Sequence, residues 1–249
     1  MLVFVPVAVV LEFIHADHIT LFIVAAIALV PLAKLIGDST EHLSTHYGAT
    51  TGSLLNVTFG NAAEIIIAIV AISAGLLDLV KASITGAIIG NILLIFGLSV
   101  VTGGFKFKEQ RFNKENVGFQ SSMLFLAVIG LAVPTIVSFT MLPGSENEQN
   151  IQLLSDSLAI ILLVVYVLGI IFTFFTHKHL FSQVDSIQAG GKEEVHATHW
   201  SKKKSFLLLA ASMVGVIVVS EILVGSVEET GEQLGFGELF VGAIIVGIV

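Results

Sequence analysis

The sequence contains no cysteine, and charged residues fill only 12% of its 249 positions. Without thiols there is neither a disulfide framework nor a thiolate metal site. A soluble domain carries about a quarter charged residues, roughly twice the fraction here. Nucleotide and hydrolytic signatures are also missing: the sequence has no Walker A stretch, no Rossmann glycine pattern and no His-Glu-x-x-His. Neither ATP-driven pumping nor metal-dependent hydrolysis is therefore indicated, and no nucleic-acid partner or bound cofactor is expected. The opening apolar run lacks the basic flank and small-residue cleavage site of a cleavable signal.

What is present is apolar. Hydrophobic residues make up 55% of the chain, and mean hydropathy is +0.97. The runs far exceed the roughly ten-residue alternating segments of a membrane β-barrel. The reading is an all-α, polytopic transmembrane helix bundle lying in a lipid bilayer. Eight hydrophobic segments stand out: residues 2–14, broken by Pro6, then 19–36, 54–77, 82–101, 119–141, 158–175, 206–227, and a last one from about Leu239 to Val249. A run still apolar at Val249 creates the expectation that the native protein continues.

Orientation follows from basic residues in short loops. Lys106, Lys108, Arg111 and Lys114 follow the fourth segment, and Lys178, Lys192, Lys202, Lys203 and Lys204 follow the sixth. The loop between the fifth and sixth, with Gly144-Ser145-Glu146-Asn147-Glu148, has none. Both basic loops are placed in the cytoplasm. Counting back puts residues 38–53 inside as well, and counting forward puts residues 228–237 outside. Asp38-Ser39-Thr40-Glu41-His42-Leu43 resembles Glu229-Thr230-Gly231-Glu232-Gln233-Leu234, one copy on each side, and Gly52 and Gly242 keep nearly the same offset. That is the pattern of an inverted-topology repeat, whose ion site forms near the midplane between two halves. The expected organisation is a first transmembrane half over residues 1–176, with the first repeat motif at 54–103. A cytoplasmic connecting loop follows over 177–204, and residues 205–249 open a second half whose repeat is incomplete in this chain.

The chemistry centres on Gly60-Asn61-Ala62-Ala63-Glu64, in the middle of the third apolar run. A carboxylate near the bilayer centre costs at least about 2.5–3.5 kcal/mol and marks an ion or proton pathway by default. Gly60 and Asn61 loosen the helix and supply oxygen atoms, which suits a hard cation; the plainer reading is a packing glycine beside a paired glutamate. Asn91, after Gly90, lies mid-way along the fourth segment. A short turn around Asp78–Lys81 makes the two segments an antiparallel hairpin, so Glu64 and Asn91 are expected to face one polar cavity. The alternative for Asn91 is an interhelical hydrogen bond. Asn56 and Thr58 are weaker candidates. Asp38, Glu41 and His42 read as an acidic entrance or as a solvated helix end. His42 and His46, four apart, are not taken as a metal pair. Glu221 is an acid inside an apolar span, with a gating role or a span boundary as its two readings. The 181–200 stretch, with Asp185, Glu193, Glu194, His196 and His199, reads as a solvated connector before it reads as a regulatory site.

Leu54-Leu55-Asn56-Val57-Thr58-Phe59-Gly60-Asn61-Ala62-Ala63-Glu64 strongly resembles the first signature of the calcium/proton exchanger family, within the cation/calcium exchanger superfamily. Thr40-Glu41-His42-Leu43, Gly86 to Asn91 and Ser220-Glu221-Ile222-Leu223-Val224 look like the same family, in the same order. The resemblance implies a secondary antiporter, not an enzyme, that moves Ca²⁺ out of the cytosol against inward H⁺. The sodium-coupled relatives carry a Gly-Thr/Ser-Ser-x-Pro-Glu type motif instead. Glu64 would be the first-repeat carboxylate, binding Ca²⁺ and protons in turn, with Gly60, Asn61 and Asn91 beside it. Glu41 would match an acid of the cytoplasmic entrance. The resemblance also implies a second signature, expected just beyond Val249. Left open are exchange of another ion on the same fold (Mn²⁺/H⁺ or Na⁺/Ca²⁺), a non-transporting scaffold or sensor, and a homo-oligomer. A prokaryotic cell membrane is favoured over an organelle membrane.

Overall fold

The computed structural model describes residues 1–47, 54–55, 58–110, 112–140, 145–177, 200–237 and 240–247. The described residues form helices and turns without a strand, and five helices are long and apolar enough to cross a membrane. The expectations resting on Gly52, Asn56, Leu239 and the loop acids and histidines between 178 and 199 lie outside the described residues. The chain divides into two compact units, Met1–Gln110 with Thr198–Val249, and Arg111–Ala197.

In the first unit, α1 (Phe4–Phe13) leads to α2 (His18–Tyr47). Pro6 does not break α1. It occupies the first turn, where a backbone N–H would have no intrahelical partner, so its missing donor costs nothing. Asp17 starts α2: its carboxylate accepts the Thr20 N–H at 2.9 Å and the Thr20 hydroxyl at 2.8 Å. At 30 residues, α2 is about 45 Å long, half as long again as a bilayer core. It therefore carries Asp38, Glu41 and His42 well inside its length, and the expected helix end near Ile36 moves out to Tyr47. Next come α3 (Ala62–Ser73) and α4 (Leu77–Gly90). A π-helical turn, Asn91–Ile95, joins α4 to α5 (Phe96–Lys106) without interruption, making one rod from Leu77 to Lys106. Later in the chain, α8 (Lys202–Leu234) begins at an N-cap Ser201 that accepts the Lys204 N–H. It ends at the left-handed Gly235, where Phe236 N–H reaches Gly231 C=O at 2.8 Å. The 228–234 stretch, expected in an external loop, is thus its last two turns. A short π-helical segment, Val241–Val246, follows.

The frame of this unit is the pair α2 and α8, its most extensive helix contact. His18 meets Glu229, Leu32 lies against Gly215, and His46 Nε2 meets the Trp200 carbonyl at 2.9 Å. Positions climb on one helix as they fall on the other, so the two are antiparallel. Asp38–Leu43 and Glu229–Leu234 consequently sit at opposite ends of the pair. Equivalent positions are buried in both copies, Ser39 and Thr40 in one and Thr230 and Gly231 in the other. Apolar side chains gain little by leaving lipid for protein, so close packing holds such a pair. Ala25, Ala28, Val216 and Val219 are small or β-branched and fully buried at it. α3 packs on α8, and Val241–Val246 packs on α4.

In the second unit, α6 (Lys114–Thr140) and α7 (Ser145–Ile171), extended by the π-helical Phe172–Thr176, form an antiparallel hairpin. Phe119 stacks on Phe172 with ring centres 5.1 Å apart, Met123 covers Gly169, and Leu162 covers Gly130. The helix α7 starts at Ser145, so Ser145, Glu146, Asn147 and Glu148 of the expected polar loop are helical.

Candidate functional site

The third apolar run does not form one continuous spanning helix. Gly60 and Asn61 form a turn, and regular helix begins only at Ala62. Glycine lacks the side chain that favours helix, and Asn61 takes a non-helical φ of −108° with ψ 20°. Asn61 occupies the N-cap position, yet its side chain makes no capping hydrogen bond. Its side-chain amide remains available to a ligand, while its backbone carbonyl accepts the Ile65 N–H at 3.1 Å. Glu64 stands in the first turn of α3, where the positive end of the helix dipole favours a negative charge by about 0.3–1 kcal/mol, up to about 2 in buried settings. That is less than the insertion cost of about 2.5–3.5 kcal/mol. The helix end thus offsets only part of the cost of a carboxylate held at mid-membrane.

The hairpin partner is positioned by Gly75, whose φ of +83° closes the turn from α3 to α4. Across it, Asn61, Glu64 and Ile67 of α3 face Ser83, Ala87, Ile88 and Asn91 of α4 around a cleft of about 250 Å³, with Gly247 at one side. Glu64 and Asn91 thus share one cleft, and both are exposed in it. Asn91 opens the π-helical turn: its C=O accepts from Phe96 N–H, five residues on. Single π turns widen a helix locally and are frequent where a ligand is held. Opposite the cleft, α4 presses on Val241–Val246; a Cβ on Gly86 would lie 2.0 Å from the Ala243 carbonyl oxygen.

Gly60 lies in the break itself. Among the described residues no three His, Asp or Glu side chains cluster as a metal centre. The donors at the cleft are therefore mixed. Glu64 gives up to two oxygens and each asparagine one, about four of the six to eight that Ca²⁺ takes.

The other candidates lie elsewhere. Glu221 lines a separate groove of about 590 Å³ with Ile66, Ile69, Val70 and Ser73. At 100° per residue those positions are on the face of α3 opposite Glu64. The helix α8 runs on thirteen residues beyond Glu221, so the acid is well within the helix. Asp38 is half-buried and Glu41 exposed on α2, outside the cleft. His42 stacks on Trp200 with ring centres 4.5 Å apart, and His46 meets the Trp200 carbonyl, so both hold the start of α8. Thr58 bonds back to Leu54 C=O at 2.8 Å. Two features escaped the sequence reading: the π turn and Ser83. The second had a signal, since Ser83, Ala87 and Asn91 recur every four residues along one helix face.

Known proteins place the chain in context. Residues 18–175 match the family model described as sodium/calcium exchanger protein. The chain is 36% identical to the "Ca(2+)/H(+) antiporter" of Aphanothece halophytica, over all of this chain and 68% of that protein. It is 37% identical to "Ca(2+)/H(+) antiporter ChaA" of Bacillus subtilis, over 98% of this chain and 68% of that protein. The crystal structure of the selenium-substituted Ca²⁺/H⁺ antiporter protein YfkE superposes with a TM-score of 0.75 at 32% identity, covering 99% of this chain and 66% of that one. The chain spans about two thirds of the length of these relatives.

Proposed function

This chain belongs to the sodium/calcium exchanger family, and on that premise we propose that it exchanges cytosolic Ca²⁺ for H⁺ across a prokaryotic cell membrane. The observation that carries the reading is Glu64, placed in the first helical turn after the Gly60–Asn61 break and sharing a cleft with Asn91. An isolated carboxylate at mid-membrane does not stay charged and empty. A proton or a divalent cation relieves it, and the two exclude each other. One ionised carboxylate balances half the charge of Ca²⁺, so the reading calls for a second acidic group in the loaded site. Gly60, Asn61 and Asn91 supply neutral oxygens, which give a flexible Ca²⁺ shell without adding charge. Alternating access to one such site converts mutual exclusion into antiport. Asp38 and Glu41 collect cations on the cytosolic side, and Glu221, on α8 against the far face of α3, acts apart from the binding cleft. Proton coupling agrees with the names of the similar proteins.

The test is flux in proteoliposomes made with the full-length protein. A pH gradient should drive Ca²⁺ movement and a Na⁺ gradient should not. Glu64→Gln, which imitates the protonated side chain, should reduce exchange to background while the protein still inserts and purifies normally. Asn91→Ala removes one neutral oxygen and should raise the apparent KM for Ca²⁺ about three- to tenfold, the equivalent of one modest polar contact. Lowering the pH should raise the wild-type KM, because protons and Ca²⁺ compete for one carboxylate. Wild-type rates from Glu64→Gln would refute the assignment.

A further inference from the structure

Ser83 is the one polar side chain of the cleft without a role in the exchange chemistry above. Along α4 the cleft edge runs through Ser83, Ala87 and Asn91, eight residues and about 12 Å. Along α3 it runs through Ile67, Glu64 and Asn61, six residues and about 9 Å. The two helices are antiparallel from the Gly75 turn, so Ser83 is level with Ile67, and Asn91 is level with Asn61. Glu64 therefore has amide groups toward one end of the cleft and a hydroxyl toward the other, the end nearer Gly75. Between the levels of Ser83 and Glu64 the lining is apolar, with Ile67, Ile84 and Ala87.

Ser83 Oγ donates its hydrogen to the Val80 carbonyl at 3.0 Å. With its hydrogen in that bond, the half-buried oxygen has its lone pairs left to accept with. An accepting oxygen suits a cation or the hydrogens of its hydration water, and repels an anion. Thr85, two residues on, makes the same kind of back-bond to Lys81 at 2.8 Å but does not line the cleft. It is an internal comparison for a hydroxyl that only satisfies its own helix.

We infer that Ser83 Oγ is an oxygen ligand for Ca²⁺, direct or through one water, on the Gly75 side of Glu64. It holds the ion as it passes between Glu64 and that end of the cleft, and so sets the apparent affinity from that side. The distribution of basic loops makes this the side away from the cytosol. The inference rests on the reading of Glu64 as the Ca²⁺ carboxylate.

Proteoliposomes of the full-length protein test it, with the KM for Ca²⁺ measured from each side of the membrane. Ser83→Ala should raise the KM from the Gly75 side about three- to tenfold and change it less than twofold from the other. Ser83→Thr should restore the wild-type value, and Thr85→Ala should leave both sides unchanged. Equal effects on both sides, no effect, or the same effect from Thr85→Ala would overturn the assignment. Ser83→Cys gives a second reading that does not depend on the alanine variant folding, because the chain has no other thiol. A membrane-impermeant thiol reagent should label it from the Gly75 side, and Ca²⁺ should slow the labelling. Labelling unaffected by Ca²⁺ would count against the ligand. If wild-type protein shows no Ca²⁺/H⁺ exchange, or Glu64→Gln exchanges normally, it is the Glu64 reading that fails.

Discussion

Two carboxylates at helix starts show how one side-chain chemistry is put to different uses. Asp17 lies at the exposed beginning of α2 and is engaged by the Thr20 N–H and hydroxyl. Those bonds, the backbone one first, hold its pKa below the ordinary aspartate value of 3.8. Glu64, in the first turn of α3, faces a cleft. The first stabilises a helix; the second remains available to a ligand. The consequence for Asp17 has a definite sign. A depressed carboxylate stabilises the fold above its unfolded value and loses that contribution as the pH falls through the lowered folded value. The stability difference between wild type and Asp17→Asn should therefore be constant near neutrality and change below about pH 4, in the direction of a weaker wild type. Thermal unfolding of the detergent-solubilised protein over pH 3 to 7 reads this. A difference that does not vary with pH would rule it out.

At the scale of elements, two glycines and a π turn place the cleft. Gly75 makes the hairpin, and Gly86 lets α4 meet the Val241–Val246 segment at backbone distance. The neighbour of Gly86 is a carbonyl, not the flexible tip of a side chain, so an added methyl group forces the two elements apart. Overpacking of this kind costs about 1–3 kcal/mol. Gly86→Ala should lower the thermal midpoint by several degrees and weaken Ca²⁺ exchange by displacing α4, whose opposite face lines the cleft. Gly97→Ala, in α5 with nothing within 4 Å of the added Cβ, should leave stability equal or slightly raised, since alanine is the better helix former. If the two variants melt alike, the close approach at Gly86 is not what holds the segment.

For the molecule as a whole, the antiparallel α2–α8 pair carries two similar acidic stretches to opposite ends. One end is marked by Trp200, with Lys204 over its ring at 4.8 Å, and by Tyr47, with Lys202 over its ring at 5.1 Å. Aromatic and basic residues together are typical of a membrane interface, and Lys and Arg favour the cytoplasm. Single cysteines introduced at Lys108 and Lys203 should both react only with reagent on the cytoplasmic side, and one at Glu229 only from outside. Reaction of the first two from opposite sides would reject this topology. The chain has no cysteine of its own to confuse the labelling.

Composition and hydrophobic run length by themselves determined that this is an all-helical membrane protein, because burial of backbone polar groups in lipid leaves few alternatives. The Gly60 to Glu64 motif was legible for a local reason: glycine, asparagine and a carboxylate within five residues interrupt a helix and load it with oxygen. Helix ends were not legible. Hydropathy drops at Asp38 and Glu228, but the i to i+4 ladder continues through polar residues, to Tyr47 and Leu234, wherever a partner helix supports it. The company each candidate keeps was decided only by tertiary structure. Glu64, Asn91 and Ser83 share a cleft because a turn at Gly75 sets the register of two helices. Glu221 is separated from them because α3 turns one face to each. Periodicity records which residues share a face, and only packing decides what that face meets.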